Sequence, residues 1–100
     1  MSVKKRHINR LLARKAAVIL ARHGVKKASL FGSHARGEQK PRSDYDLLVE
    51  FHGRKSLMEV VGIEQELSDA LGLKVDLVTE KSVSPYIIDR IKKEMVTIRR

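Results

Sequence analysis

The apolar residues recur in segments of alternating helical and strand spacing. From Lys4 to His23, Ile8, Leu11, Leu12, Ala16, Ile19 and Leu20 fall three or four apart, which predicts an amphipathic helix. Arg6, Arg10 and Arg14 occupy a separate stripe of it. Gly24 suits the left-handed position that stops a helix. Lys27 to Phe31 (KASLF) reads as a short strand running into Gly32–Ser33, and residues 34–43 as a charged turn or short helix ending near Pro41. Asp44 to Phe51 (DYDLLVEF) has strand composition and length, and His52–Gly53 ends it. Ser56 and Glu59 make a capping box that opens a helix through Leu71. Its stripe of Leu57, Val60, Val61, Ile63, Leu67 and Leu71 is expected to be buried, and Gly72 closes it. Leu73 to Thr79 (LKVDLVT) is a third strand. Ser84 as N-cap with Pro85 at the first helical position starts a last helix, with Ile87, Ile88, Ile91 and Met95 on its apolar side. The order α-β-(α)-β-α-β-α predicts an α/β (α+β) fold: a small mixed sheet of three strands flanked by helices.

One hundred residues, 42% of them hydrophobic, are enough for one domain spanning 1–100 with a single core. No apolar run approaches the ~20 residues that a membrane span needs. The basic N-terminus is not followed by the apolar stretch and small-residue cleavage site of a secretory signal. The absence of cysteine removes disulfides, zinc-thiolate sites and thiol nucleophiles, and a cytoplasmic chain is the expectation. The formal charge of +9 is unevenly placed. Residues 1–37 hold ten Lys/Arg and no Asp or Glu, whereas residues 38–100 hold eleven against twelve. Such a front favours polyanions or an acidic protein partner. Four aromatic residues are too few for a base-stacking single-strand binder.

The chemistry lies in acids placed on strands. Asp44 and Asp46 are two apart, so in a strand they share a face, roughly 6–7 Å from each other. Tyr45, Leu47, Val49 and Phe51 take the core side, and Tyr45 is packing rather than chemistry. Asp76, between Val75 and Leu77, also points away from an apolar pair. Three carboxylates converging on one face repel one another unless a cation is present, and with Mg²⁺ they form a two-metal clamp of the kind used in phosphoryl and nucleotidyl transfer. At the end of the first strand, Gly32 lets backbone approach a ligand and Ser33 adds a hydroxyl beside exposed N–H groups. Arg36, Lys40 and Arg42 follow within reach of a polyphosphate, although for Arg36 an ion pair with Glu38 or with an aspartate of the site is an equal reading. The four histidines, His7, His23, His34 and His52, lack metal-ligand spacing and read as surface or loop residues.

The run GSHARGEQKPRSDYDLLVEF resembles the signature of the DNA polymerase β-like nucleotidyltransferase superfamily, G-S-x-A-R-G followed by S-D-x-D-L. It is most similar to the small stand-alone members, the minimal nucleotidyltransferases that serve as antitoxins beside HEPN-domain proteins. The match consists of Gly32, Ser33, Ala35, Arg36, Gly37, Ser43, Asp44, Asp46 and Leu47, with Asp76 as third carboxylate. The resemblance implies a polymerase β palm-like fold with Gly32 and Ser33 holding the β- and γ-phosphates of ATP. It also implies Mg²⁺ on Asp44, Asp46 and Asp76, with Asp76 helping to deprotonate the acceptor. The implied reaction moves AMP from ATP onto a tyrosine hydroxyl of a HEPN-type ribonuclease toxin. Larger relatives carry a second domain for the base or acceptor that this pattern lacks, so a partner protein or a second copy, in a hetero-complex or homo-oligomer, is expected to complete the cleft. The alternatives are an antitoxin that binds without catalysis and a DNA-binding autoregulator, with nucleic acid a secondary partner because no helix-turn-helix pattern stands out.

Overall fold

A computed structural model describes residues 8–100. The first helix, α1 (Arg10–Arg22), begins where Asn9 caps it by accepting from Leu12 N–H at 3.1 Å. The expected start at Lys4, like Arg6 and His7, lies outside the described residues. Gly24, at φ 72°, turns the chain into β1 (Val25–Phe31). A single helical turn, α2 (Ser33–Arg36), leads to β2 (Tyr45–Phe51). Then follow α3 (Leu57–Leu71), β3 (Val75–Val78), a 3₁₀ turn at Glu80–Ser82, α4 (Pro85–Glu94) and β4 (Val96–Arg99). The capping box at Ser56/Glu59 and the Ser84–Pro85 start are both present.

The sheet has four strands, not three, in the order β3-β2-β1-β4. The added strand, VTIR, pairs antiparallel with β1 (Leu30 opposite Val96, Ser29 opposite Thr97). Four residues directly after a helix give too short an alternation to read locally, and they become a strand because β1 leaves an edge to cover. Met95 accordingly leaves the helix, with an extended backbone (φ −66°, ψ 149°). β1 and β2 are antiparallel, whereas β2 and β3 run parallel, so the sheet is mixed as expected.

One face of the sheet carries the main core, where Leu20 and Ala16 of α1 and Ile63, Leu67 and Leu71 of α3 meet Leu30, Tyr45, Leu47 and Val49. The buried stripe of α3 is narrower than its sequence suggests, since Leu57 and Val61 are exposed. On the other face α4 lays Ile88 and Ile91 on Leu48, with Phe31, Val78 and Met95 around them, while Ile87 turns outward. No described helix is long and apolar enough to cross a membrane.

β3 is an edge strand, and α3 covers its open side. Val75 N–H donates to Ser68 Oγ at 3.0 Å and Leu77 N–H to Glu64 Oε2 at 2.7 Å. These two bonds flank Asp76 and keep its strand in register. Hydrogen bonds to charged acceptors are worth about 1.5–3 kcal/mol. Glu64→Ala is therefore expected to destabilise the fold by about 1–2 kcal/mol, measured by urea unfolding, and an unchanged midpoint would show that the edge needs no cap.

Candidate active site

The parallel pairing of β2 with β3 sets Asp46 directly beside Asp76. Asp44 lies just before β2, and its side chain joins them. One ligand oxygen from each of Asp44, Asp46 and Asp76 lies within 4.8 Å of the others, and all three residues are half-buried. The sequence-predicted carboxylates are thus brought together. Burial raises the Asp46 carboxyl from 3.8 to about 6, and the charges of Asp76 and then Asp44 push the same way, while Lys74 and Arg36 oppose them.

Gly32 closes the site from the β1 side. It adopts φ 78°, and a Cβ built on it would run into Oδ2 of Asp46. Only glycine allows the turn to sit this close to a carboxylate. This all-oxygen donor set, with a backbone cradle that a Cβ would fill, fits a hard cation such as Mg²⁺. Two N–H groups of the turn, those of Ala35 and Arg36, are taken by Gly32 O at 3.1 and 3.2 Å. Gly32 N–H itself is taken by Glu94 Oε2 at 2.8 Å. The N–H groups of Ser33 and His34 are the ones at the turn without an acceptor among the described residues.

Arg36 makes the ion pair that its sequence allowed, though not with an aspartate of the site. Its Nε donates to Glu38 at 2.9 Å and NH1 to Glu94 at 3.1 Å. These bonds, the one to Glu38 foremost, hold its pKa above the usual arginine value.

His34 departs from expectation. It is buried rather than a surface residue, with its ring edge-on to Tyr45 (centroids 5.1 Å, 65° between planes). Its Nε2 lies 3.3 Å from Ser43 O, an acceptor, which assigns the proton to Nε2. Tyr45 is on the core side as expected, and burial raises its hydroxyl to about 12. Glu94 and Glu64 were not legible as site residues, because their partners lie far away in sequence (62 residues for Gly32, 13 for Leu77). A hollow of about 520 Å³ on the α4 face is lined by Lys27, Leu48, Phe51, Lys81, Lys92 and Met95. It includes none of the three carboxylates, which sit at an open corner of the sheet.

Residues 13–98 match the family model of the nucleotidyltransferase domain. The chain belongs to this family. A Methanocaldococcus jannaschii chain named as a candidate protein adenylyltransferase is 49% identical over 87 residues, covering 87% of this chain and 94% of its own length. A solved structure described as a candidate minimal nucleotidyltransferase superposes with a TM-score of 0.77 at 33% identity, over 87% of this chain and 89% of that one. A toxin–antitoxin structure with AMP-PNP superposes with a TM-score of 0.78 at 25% identity, over 86% and 71%. The fold of these nucleotidyltransferases is the small mixed sheet with flanking helices described above.

The raised Asp46 makes a signed prediction. Its folded-state pKa, about 6, exceeds its ordinary 3.8, so the metal-free fold is fully favoured only while the carboxyl is protonated and loses stability as pH rises through that interval. Asp46→Asn should stabilise the metal-free protein at pH 7.5 by about 1–2 kcal/mol, after allowance for solvent screening, with the difference gone at pH 4. Denaturant melts across pH check this, and a destabilised variant at pH 7.5 would contradict it. Metal affinity, measured by Mn²⁺ titration, should fall as pH drops below about 6, as Asp46 protonates.

Proposed function

We propose that this chain is a protein adenylyltransferase that moves AMP from ATP onto a tyrosine hydroxyl of a HEPN-type ribonuclease toxin, and so acts as its antitoxin in the cytoplasm. The observation that carries this reading is the cluster of Asp44, Asp46 and Asp76 against the Gly32–Ser33 turn. The likeness to a chain named as a candidate protein adenylyltransferase and to a toxin–antitoxin structure with AMP-PNP supports it.

The three aspartates would hold Mg²⁺, which when bound neutralises phosphoryl charge and polarises the phosphoryl oxygens. Ser33 orients the β- and γ-phosphates through its hydroxyl and N–H, and Arg36 faces them from the same turn. The acceptor oxygen attacks the α-phosphorus in line. The bond from the α-phosphorus to the bridging oxygen breaks, pyrophosphate leaves, and the acceptor proton passes to Asp76. A pure binding antitoxin has no use for three mutually repelling acids half-buried in one corner, which sets that alternative aside.

The open corner leaves the base and acceptor sides for the partner to complete. α1 offers it a surface: Arg10, Arg14 and Lys15 are exposed, and Leu11 and Val18 stand 63% and 57% exposed among them. Apolar residues between the cations suit an acidic protein better than DNA, and complementary charge speeds encounter.

Incubation with [α-³²P]ATP, Mg²⁺ and the toxin should label the toxin. Asp44→Asn or Asp46→Asn should reduce labelling at least a hundredfold, the scale of losing a catalytic group. Labelling that survives both changes would place the site elsewhere. Asp76→Asn should lower kcat more than ATP affinity, and equal losses would make Asp76 only a ligand. Reversing Arg10 and Arg14 to Glu should slow labelling while ATP binding stays normal, with the gap narrowing in 1 M salt, where charges are screened over ~3 Å. Loss of duplex-DNA binding alone would instead favour the autoregulator.

A further inference from the structure

Glu94 lies outside the signature motif, yet it bonds two residues of it, Gly32 and Arg36. It is the last residue of α4. Its Oε2 accepts Gly32 N–H at 2.8 Å, and Arg36 NH1 lies 3.1 and 3.2 Å from its two oxygens. The Glu94 side chain is only 25% exposed. We propose that Glu94 is a positioning residue for the nucleotide: it fixes the Gly32–Arg36 turn against Asp46 and aims the guanidinium at the polyphosphate. The inference rests on the nucleotide site proposed above.

Three features support it. Gly32 lies against the Asp46 carboxylate, so close that a Cβ there would run into its Oδ2, and the bond from its N–H ties the turn at that point to the end of α4. Arg36 is gripped on two sides, Nε by Glu38 and NH1 by Glu94, which leaves the NH2 edge to present to an anion. Glu94 is itself held from both directions, by α4 before it and by β4 after it, where Val96 pairs with Leu30 just ahead of Gly32. Charge-assisted bonds of this kind are roughly twice as strong as neutral ones. A carboxylate beside a polyanion site also repels the ligand, and the opposite role, an internal occupant of the anion position, makes the opposite prediction.

The test measures Mg²⁺-dependent ATP binding to the full chain by calorimetry, with Mn²⁺ affinity in the absence of nucleotide as a second readout. Glu94→Ala should weaken ATP about tenfold, the size expected for a lost charge-assisted pair, and leave Mn²⁺ affinity within about twofold. Glu94→Gln keeps an acceptor for Gly32 N–H and should lose less, about threefold on the same basis. It carries the test if the alanine variant folds poorly. Combining Glu94→Ala with Arg36→Ala should cost less than the product of the single losses, because the two residues act through one contact. Unchanged or tighter ATP binding, a fully multiplicative double variant, or loss of Mn²⁺ binding along with ATP would each overturn the proposal. Wild-type protein that binds no ATP would instead fail the site reading on which it rests.

Discussion

Three carboxylates within 4.8 Å of one another oppose folding, and the rest of the domain is arranged to hold them there. Each prefers water and each repels the others, so the metal-free site is a place of stored electrostatic cost, visible in an Asp46 carboxyl held near 6. What keeps them together is the parallel register of β2 and β3, which is set on the opposite face by Tyr45, Leu47, Val75 and Leu77 packing beneath α3. A slip of β3 by one residue would turn Val75 and Leu77 outward and Asp76 inward, away from Asp46. The hydrophobic face therefore enforces the acidic one.

The edge of the sheet matters as much as its centre. Asp76 belongs to a strand of four residues with one open side, and such a strand frays unless its N–H groups find acceptors. Ser68 and Glu64 supply them from a helix already anchored in the core. At the opposite edge β4 covers β1 and brings the end of α4 to the Gly32 turn. Both flanks thus join a structural necessity, satisfying a sheet edge, to the placement of a functional group.

The charge distribution complements this arrangement. Among the described residues of the first third of the chain, Arg10, Arg14, Lys15 and Arg22 lie on α1, Lys26 and Lys27 on β1 and Arg36 on the Gly32 turn, and the acids of the site lie across the sheet from α1. One face of the sheet thus carries the basic helix and the other the acidic cluster. The two charge patterns stay apart because the sheet has two faces and helices cover them unequally.

Much of this was determined by the sequence alone, wherever the controlling physics is local. Alternation placed Asp46 away from the core side of β2, with Asp44 just before the strand, caps at Ser56 and Ser84 started α3 and α4, and glycines at positive φ stopped α1 and opened the turn at Gly32. The motif running from Gly32 to Leu47 named the family because its residues act within a short span of chain. Tertiary structure alone decided the fourth strand, which forms because a neighbour's edge needs a partner, and the burial of His34 against Tyr45. It also decided which of the apolar residues on α3 are covered, leaving Leu57 and Val61 in water. The clearest case is Glu94, a residue in a charged run that looks like any solvated helix end. Its partners Gly32 and Arg36 lie 62 and 58 positions away, and a bond between such distant groups exists only once the sheet has brought both ends of the chain to the same corner.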